Sequence, residues 1–395
     1  MTSPFRTVML FADYYLPGYK SGGLTRSVAN FVEDVEGRCE IRILTRDRDL
    51  GDRHRYVGIP SRRWVRVGRA LVAYLDWSSP RDLAWALTQV RRTRPDLLYL
   101  NSYMSPFSSI LPLMAYRLRL TRAPMLIAPR GELSDQALSL KARKKGLYRK
   151  IASTLNLHRD VVFHASTPME AKDVARFHTQ NRILVSADRL RRAGAPALSV
   201  PSRPVRLAHI SRLAPIKNLD RVIGALRYVS LPIVLDIWGP VEDQDYWNLC
   251  KRRTDGLPPH IAVTHRGVLD PDKVHSTLSE YHALVLCSLS ENFGQIVAES
   301  LAAGCPVIVS KSLHWAQLVD GIAGWAVDPL DEREISAVLS CVADTSDEQW
   351  RDLRRGCSKA LRRLLDLHSG IGSLELIDSA LQGGRASARG IRKPG

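Results

Sequence analysis

Short, almost wholly apolar runs punctuate the chain at residues 8–11, 41–45, 97–100, 125–128 and 161–165. They recur at 205–210, 233–238, 261–264, 283–287 and 307–310. Most are continuous rather than alternating, the pattern of strands covered on both faces. Between them lie segments with apolar residues at helical spacing, such as 83–92, 218–228 and 296–303. This alternation predicts an α/β protein with parallel sheets. It is interrupted at 188–204, where three prolines, small residues and cations follow no period. A fresh strand starts at Val205. The expected organisation is therefore a Rossmann-like domain at 1–190, a linker at 191–204 and a second such domain at 205–382. Residues 348–381 read as the last helical pattern. Residues 383–395, rich in Gly, Arg and Ser, read as a disordered basic tail. Two such sheets facing each other across a cleft would bind ligands at their strands' carboxyl ends, where helix N-termini point.

Composition narrows the class. The chain has 395 residues, 45% hydrophobic and 25% charged, which excludes a wholly disordered, collagen-like or disulfide-built chain. Its 57 Lys+Arg against 40 Asp+Glu give +17, favouring anionic partners: nucleic acid, acidic lipid or phosphorylated substrates. Six scattered cysteines without a CxxC pair indicate neither zinc nor redox chemistry and fit a reducing compartment. No apolar run reaches 18–20 residues, and Asp13 closely follows the short N-terminal one. The expected location is the cytoplasm, or the inner face of the plasma membrane as a peripheral protein.

Three segments carry candidate chemistry, each after a predicted strand. In SENFGQIVAESLAAGCPVIVS, Glu291 lies in a loop and Glu299 eight residues later in a helix. Gly294 allows close backbone approach, and the amides near Gly294 and Gln295 start the helix, a place suited to an anion. Carboxylates beside such a start suit a ligand that joins phosphates to sugar hydroxyls. In SRLAPIKN, Arg212 and Lys217 would project from the sheet edge, and Asn218 reads as the N-cap of the next helix. Two cations can neutralise a diphosphate, and more so as it departs. In GYKSGGL, Gly22 and Gly23 precede a helix and offer backbone amides.

Together these segments resemble the retaining GT-B glycosyltransferases of family 4, from about residue 6 to 375. The E-x7-E spacing of Glu291 and Glu299 is the most specific element, and SRLAPIKNLDRVIGAL the second. RPDLLYLNSYMSP and APMLIAPRGELS are similar to segments of bacterial surface-polysaccharide transferases. The resemblance implies a GT-B fold and transfer from a UDP- or GDP-sugar to a saccharide or polyprenyl-linked acceptor, with retention and without a metal or other cofactor. It implies Glu291 near the donor sugar, Glu299 on the ribose, Arg212 and Lys217 on the diphosphate, and Gly22 and Gly23 facing the reacting centre. Phe293, Gly294, Gln295 and Gly239 join the donor-binding set. Many relatives carry His-Gly where this chain has Arg130-Gly131, so Arg130, with Asn101, is assigned to the acceptor or a phosphate.

Two loose DxD matches, Asp47/Asp49 and Asp243/Asp245, lie in polar stretches and are not assigned to metal, since Arg212 and Lys217 already do its work. His164, inside a strand-like run, is read as a core or site-lining residue, and His314, near Trp315, as bordering the donor pocket. Lys141, Arg143, Lys144, Lys145, Arg149 and Lys150 place six cations in ten residues, a solvated helix face or a contact with an anionic membrane. Two rival readings follow from the same residues. One is an epimerase or phosphorylase on the same fold. The other is a basic nucleic-acid-binding protein, opposed by the lack of aromatic interleaving or a recognition module.

Overall fold

A computed structural model describes residues 5–35, 37–139, 142–188, 194–367 and 370–389, with side chains up to residue 382. The chain divides into two compact units, Met1–Arg189 with Ser369–Gly395, and Leu190–His368.

Among its described residues the first unit holds eight strands: β1 (Arg6–Phe11), β2 (Cys39–Arg46), β3 (Trp64–Val67), β4 (Ala70–Leu75), β5 (Leu97–Leu100), β6 (Met125–Ile127), β7 (Val162–Ala165) and β8 (Ile183–Val185). Their order is β3-β4-β2-β1-β5-β6-β7-β8. All neighbours are parallel except the β3–β4 hairpin. The continuous apolar runs have the expected cause. Val8 and Leu10 enter one core, and Met9 and Phe11 enter the core on the sheet's other face.

The second unit holds β9 (Val205–Ile210), β10 (Ile233–Trp238), β11 (Ile261–His265), β12 (Ala283–Leu286), β13 (Val307–Ser310) and β14 (Gly324–Val327). Their order is β11-β10-β9-β12-β13-β14, all parallel. The helix Leu219–Leu226 buries Leu219, Val222, Ile223 and Leu226 against the strands. Each sheet has one point where the winding reverses, between β1 and β5 and between β9 and β12. Ligands of open α/β sheets bind at such points.

The C-terminal end departs from expectation. The pattern read as one helix over 348–381 is two helices, Asp347–Leu367 and Ser373–Arg389. Gly370 lies between them, and a Cβ there would come 2.6 Å from the Val185 carbonyl. The second helix belongs to the first unit, where Leu376, Ile377, Ala380 and Leu381 complete its core. Its helical turns also continue through residues 383–389, which had been assigned to a structureless tail. Residues 390–395 of that tail lie outside the described residues, as do 191–193 of the linker. The rest of the linker lies against the second unit. Ala197 donates to the Ala303 carbonyl and accepts from Arg354.

Candidate functional site

The reversal point of the second unit gathers most of the sequence-predicted residues. Because β9 and β12 are neighbours, the turn after one lies beside the loop after the other. The Leu289 amide donates to the Ile216 carbonyl at 2.9 Å. Lys217 Nζ then lies 2.5 Å from Glu291 Oε1, with the two side chains only 13% and 12% exposed. Arg212, at the start of the same turn, pairs with Glu242 in the loop after β10. Thus both cations of the turn face a carboxylate supplied by a different loop.

Backbone contacts hold this turn. Gly239 has φ 140°, and a Cβ there would meet the Ser211 carbonyl at 1.7 Å. Only glycine lets the β10 loop lie this close. Beneath it, buried His209 bonds the Val285 carbonyl through Nδ1 at 3.0 Å and the Ser211 hydroxyl through Nε2 at 2.7 Å. Burial pushes its pKa down to about 4, so the ring is neutral. The neutral ring donates at Nδ1 and accepts at Nε2.

Asn218 differs from its expected role. It stands at the N-cap position, but with φ 57° and no capping bond. Its amide instead donates to the carbonyls of Cys287 and Pro329, at 3.1 and 2.6 Å. It fastens the cationic turn to the end of β12.

The helix Gln295–Ala302 starts at Gly294, whose φ of 71° favours glycine. A Cβ there would lie 2.9 Å from Trp315 Nε1, the indole that donates to the Phe293 carbonyl at 2.6 Å. Phe293 is buried edge-on against Trp315. Gln295 is buried at the first helical position, and Glu299 is half-buried on the second turn. The arrangement presents cations, a helix start and carboxylates on adjacent loops of one sheet edge. Such a set can hold a diphosphate and accept hydrogen bonds from hydroxyls. Glu242 and His209 are not legible as site residues in the sequence, and Trp315 is legible only as the neighbour of His314. Their partners come from other strands, and the signal for Glu242 was its place just after the β10 glycine.

In the first unit, Gly22 (φ 62°) is the N-cap of the helix Gly23–Asp34. Asp49, half of one loose DxD match, accepts the amides of Tyr19 and Lys20 at 2.8 and 3.1 Å and so shapes this glycine loop. Asp243 of the other match caps the helix Gln244–Thr254.

Arg130 requires a correction. It was assigned, with Asn101, to an acceptor or phosphate, but its side chain is only 3% exposed. Its Nη1 bonds Asp188 at 2.7 Å and Ser166 at 3.1 Å, Nη2 bonds the Tyr99 hydroxyl, and Nε bonds Asn101 Oδ1 at 2.7 Å. Tyr99 in turn contacts His164, whose Nε2 bonds the Ser186 carbonyl. Burial pushes His164 down to about 4, so this ring too is neutral. Arg130 and Asn101 form an internal strut rather than a presented contact. No helix of the described residues is long and apolar enough to cross a membrane.

Two family models match. "Glycosyl transferases group 1" covers residues 195–359, and "Glycosyl transferase 4-like domain" covers 22–186. A curated relative, poly(glycerol-phosphate) alpha-glucosyltransferase of Bacillus subtilis (strain 168), is 30% identical over 159 residues. That match spans 38% of this chain and 23% of the relative. Solved structures share the fold over nearly the whole chain. Sucrose-phosphate synthase from Thermosynechococcus elongatus has a TM-score of 0.69 at 16% identity, covering 97% of this chain and 98% of its own. HepE of Anabaena, solved with UDP-glucose, has 0.65 at 14%, covering 98% and 100%. WaaG, a glycosyltransferase involved in lipopolysaccharide biosynthesis, has 0.62 at 15%, covering 94% and 99%.

Proposed function

Since the chain belongs to the family-4 type of GT-B glycosyltransferases, we propose that it transfers a sugar from a UDP- or GDP-sugar to a saccharide hydroxyl, with retention at the anomeric carbon. The acceptor in this reading is a growing, lipid-linked saccharide of a surface polysaccharide, met at the cytoplasmic face of the membrane. The observation that carries the reading is the junction of Lys217 with Glu291, beside Arg212, where the second sheet reverses. The UDP-glucose held by HepE supports the donor class.

In the proposed reaction Arg212 and Lys217 take the diphosphate oxygens, and the donor displaces the carboxylates that hold them. Glu299 accepts from the ribose hydroxyls and Glu291 lies against the sugar. The start of the helix Gln295–Ala302 adds its positive end, while Phe293 and Gln295 shape the wall and Gly239 keeps the loop close. The bond from the anomeric carbon to phosphate breaks as the acceptor oxygen attacks the same face, and the leaving phosphate takes the acceptor proton. Gly22 and Gly23 offer amides to the reacting sugar. The two cations stabilise the departing charge that a metal ion would otherwise neutralise, so the proposed reaction proceeds in a chelator.

The test is a thermal-shift panel of UDP-, GDP-, ADP- and TDP-sugars, followed by turnover with the best donor. The anomeric proton of the product is then read by NMR. A UDP- or GDP-sugar giving a product of unchanged configuration supports the proposal. Inversion, conversion of donor without acceptor, or activity that EDTA abolishes and Mn²⁺ restores would overturn its respective parts.

A further inference from the structure

The helix Ala142–Thr154 carries a stripe that the sheet does not bury. Leu147, Ile151 and Leu155 are 61%, 47% and 58% exposed. They stand four residues apart, and Leu155 continues the spiral because its amide bonds the Ile151 carbonyl. At about 100° per residue the three project from one side of the helix. On the same wheel Arg143 and Lys150 flank the stripe on one edge, and Lys144 falls within its arc on the turn before Leu147, all three exposed. The inner side is occupied differently. Ala152 is buried, Lys145 Nζ donates to the Ala137 carbonyl, and Arg149 lies over the Phe177 ring at 3.8 Å. The cationic cluster is thus divided between the helix's two faces, and Lys141 lies outside the described residues.

A second exposed apolar pair is tied to this segment. Met114 and Leu118, 46% and 67% exposed, lie one turn apart on the neighbouring helix Leu111–Arg117 and its cap. Arg117 of that helix donates to the Leu157 carbonyl, just beyond the stripe. Charge in both segments has one sign. Residues 111–131 and 136–159 contain no Asp or Glu. Exposed Arg119 and Arg122 add to the positive rim.

We infer that this face is an interfacial docking surface for an anionic lipid bilayer. Leu147, Ile151 and Leu155 enter the headgroup–acyl boundary, and Arg143, Lys144 and Lys150 lie on the headgroups. An apolar stripe bordered by cations and free of acids is the chemistry of a helix that lies in the membrane plane. Self-association through the same stripe would oppose cations to cations, which disfavours a second copy as the occupant. The inference deepens the proposed function, since it explains how a lipid-linked acceptor is met. It is measured without turnover, so either reading can fail without the other.

The experiment is flotation of the full-length protein with vesicles of phosphatidylglycerol and phosphatidylethanolamine, against phosphatidylcholine vesicles, at physiological salt. Wild-type protein should float with the anionic vesicles and at least tenfold less with the neutral ones. The triple variant Leu147→Ser, Ile151→Ser, Leu155→Ser keeps every charge and changes only exposed side chains. It should lose about tenfold in partitioning while retaining the wild-type melting temperature and UDP binding. Arg143→Glu with Lys144→Glu and Lys150→Glu should abolish flotation. Wild-type partitioning by the serine variant would overturn the proposal, because attraction by charge elsewhere would then suffice. So would absence of flotation, or a dimer in sedimentation velocity that dissociates in the serine variant.

Discussion

Arg130 and Lys217 occupy comparable places in the two units. Each follows a parallel strand at the carboxyl edge of its sheet, yet their circumstances are opposite. Arg130 is nearly sealed, and Asp188, Ser166, Tyr99 and Asn101 take its donors. Burial works against its charge, but Asp188, with Tyr99 and Glu170, raises its pKa above the ordinary arginine value. Among the described residues Lys217 meets a single carboxylate, and an ammonium has three protons to donate. Arg212 likewise has one ion-pair partner among the described residues, Glu242, and both of those side chains are about one-third exposed. Residue type and topological place do not decide whether such a cation serves a ligand. The number of internal partners and the depth of burial do.

The sharpest way to break this contrast is to remove each cation. Arg130→Met removes the guanidinium that faces the buried Asp188 carboxylate and should lose about 3–5 kcal/mol of stability in chemical denaturation. Lys217→Met should lose only about 1–2 kcal/mol. Equal losses would erase the distinction.

Acid provides the next effect. Burial pushes His158 to about 3, and His164 and His178 to about 4, in the first unit. His209 and His282 are pushed to about 4 in the second. The unfolded chain binds protons that these folded rings refuse. Stability should therefore fall as pH drops from about 6.5 toward 4, by up to about 1.4 kcal/mol per pH unit for each ring. In the first unit Glu132 and Glu170 act in the opposite sense, since burial raises their pKa and the fold holds their protons more tightly. Denaturation midpoints across this range should slope downward, and His209→Gln should flatten the slope. A level profile would show that the rings are hydrated.

Binding comes third. Arg212→Ala and Lys217→Ala should each weaken UDP or GDP binding by about 10–100-fold in calorimetry, as expected for a lost hydrogen bond to a charged group. Unchanged affinity would remove the phosphate assignment. The smallest effect concerns Glu242, which holds Arg212 in the unliganded protein. Glu242→Gln should tighten nucleoside diphosphate binding by about two- to fivefold, within the range of an exposed ion pair. Weaker binding would mean that Glu242 orients Arg212 rather than competes for it.

What could be read in the chain divides along similar lines. Strands sealed on both faces declared themselves as apolar runs, as β1, β9 and β12 did. Strand β3 escaped because it is short, only half-buried at Trp64, Val65 and Val67, exposed at Arg66, and packs at the sheet edge. Strand β14, four residues beginning with glycine, is too short to show a period. The pairing of Lys217 with Glu291 was accessible in outline, since each follows a recognisable strand. Only the order of strands makes them neighbours. Arg130 was misread because Asn101, Ser166 and Asp188 lie 29, 36 and 58 residues away, and nothing local reveals such partners. The break in the last helical pattern was visible in Gly370 and Gly372, but apolar spacing on either side masked it.

The returning helix Ser373–Arg389 sets an order of assembly. Leu376, Ile377, Ala380 and Leu381 fill a core begun by Val8 and Leu10, and the whole second unit is synthesised in between. During translation the first sheet must wait, incompletely covered, while its neighbour is made and folds. A released chain truncated after residue 367 would therefore carry nearly all of the second unit beside an unfinished first one. The helix made after the second unit closes the core that β1 opened before it.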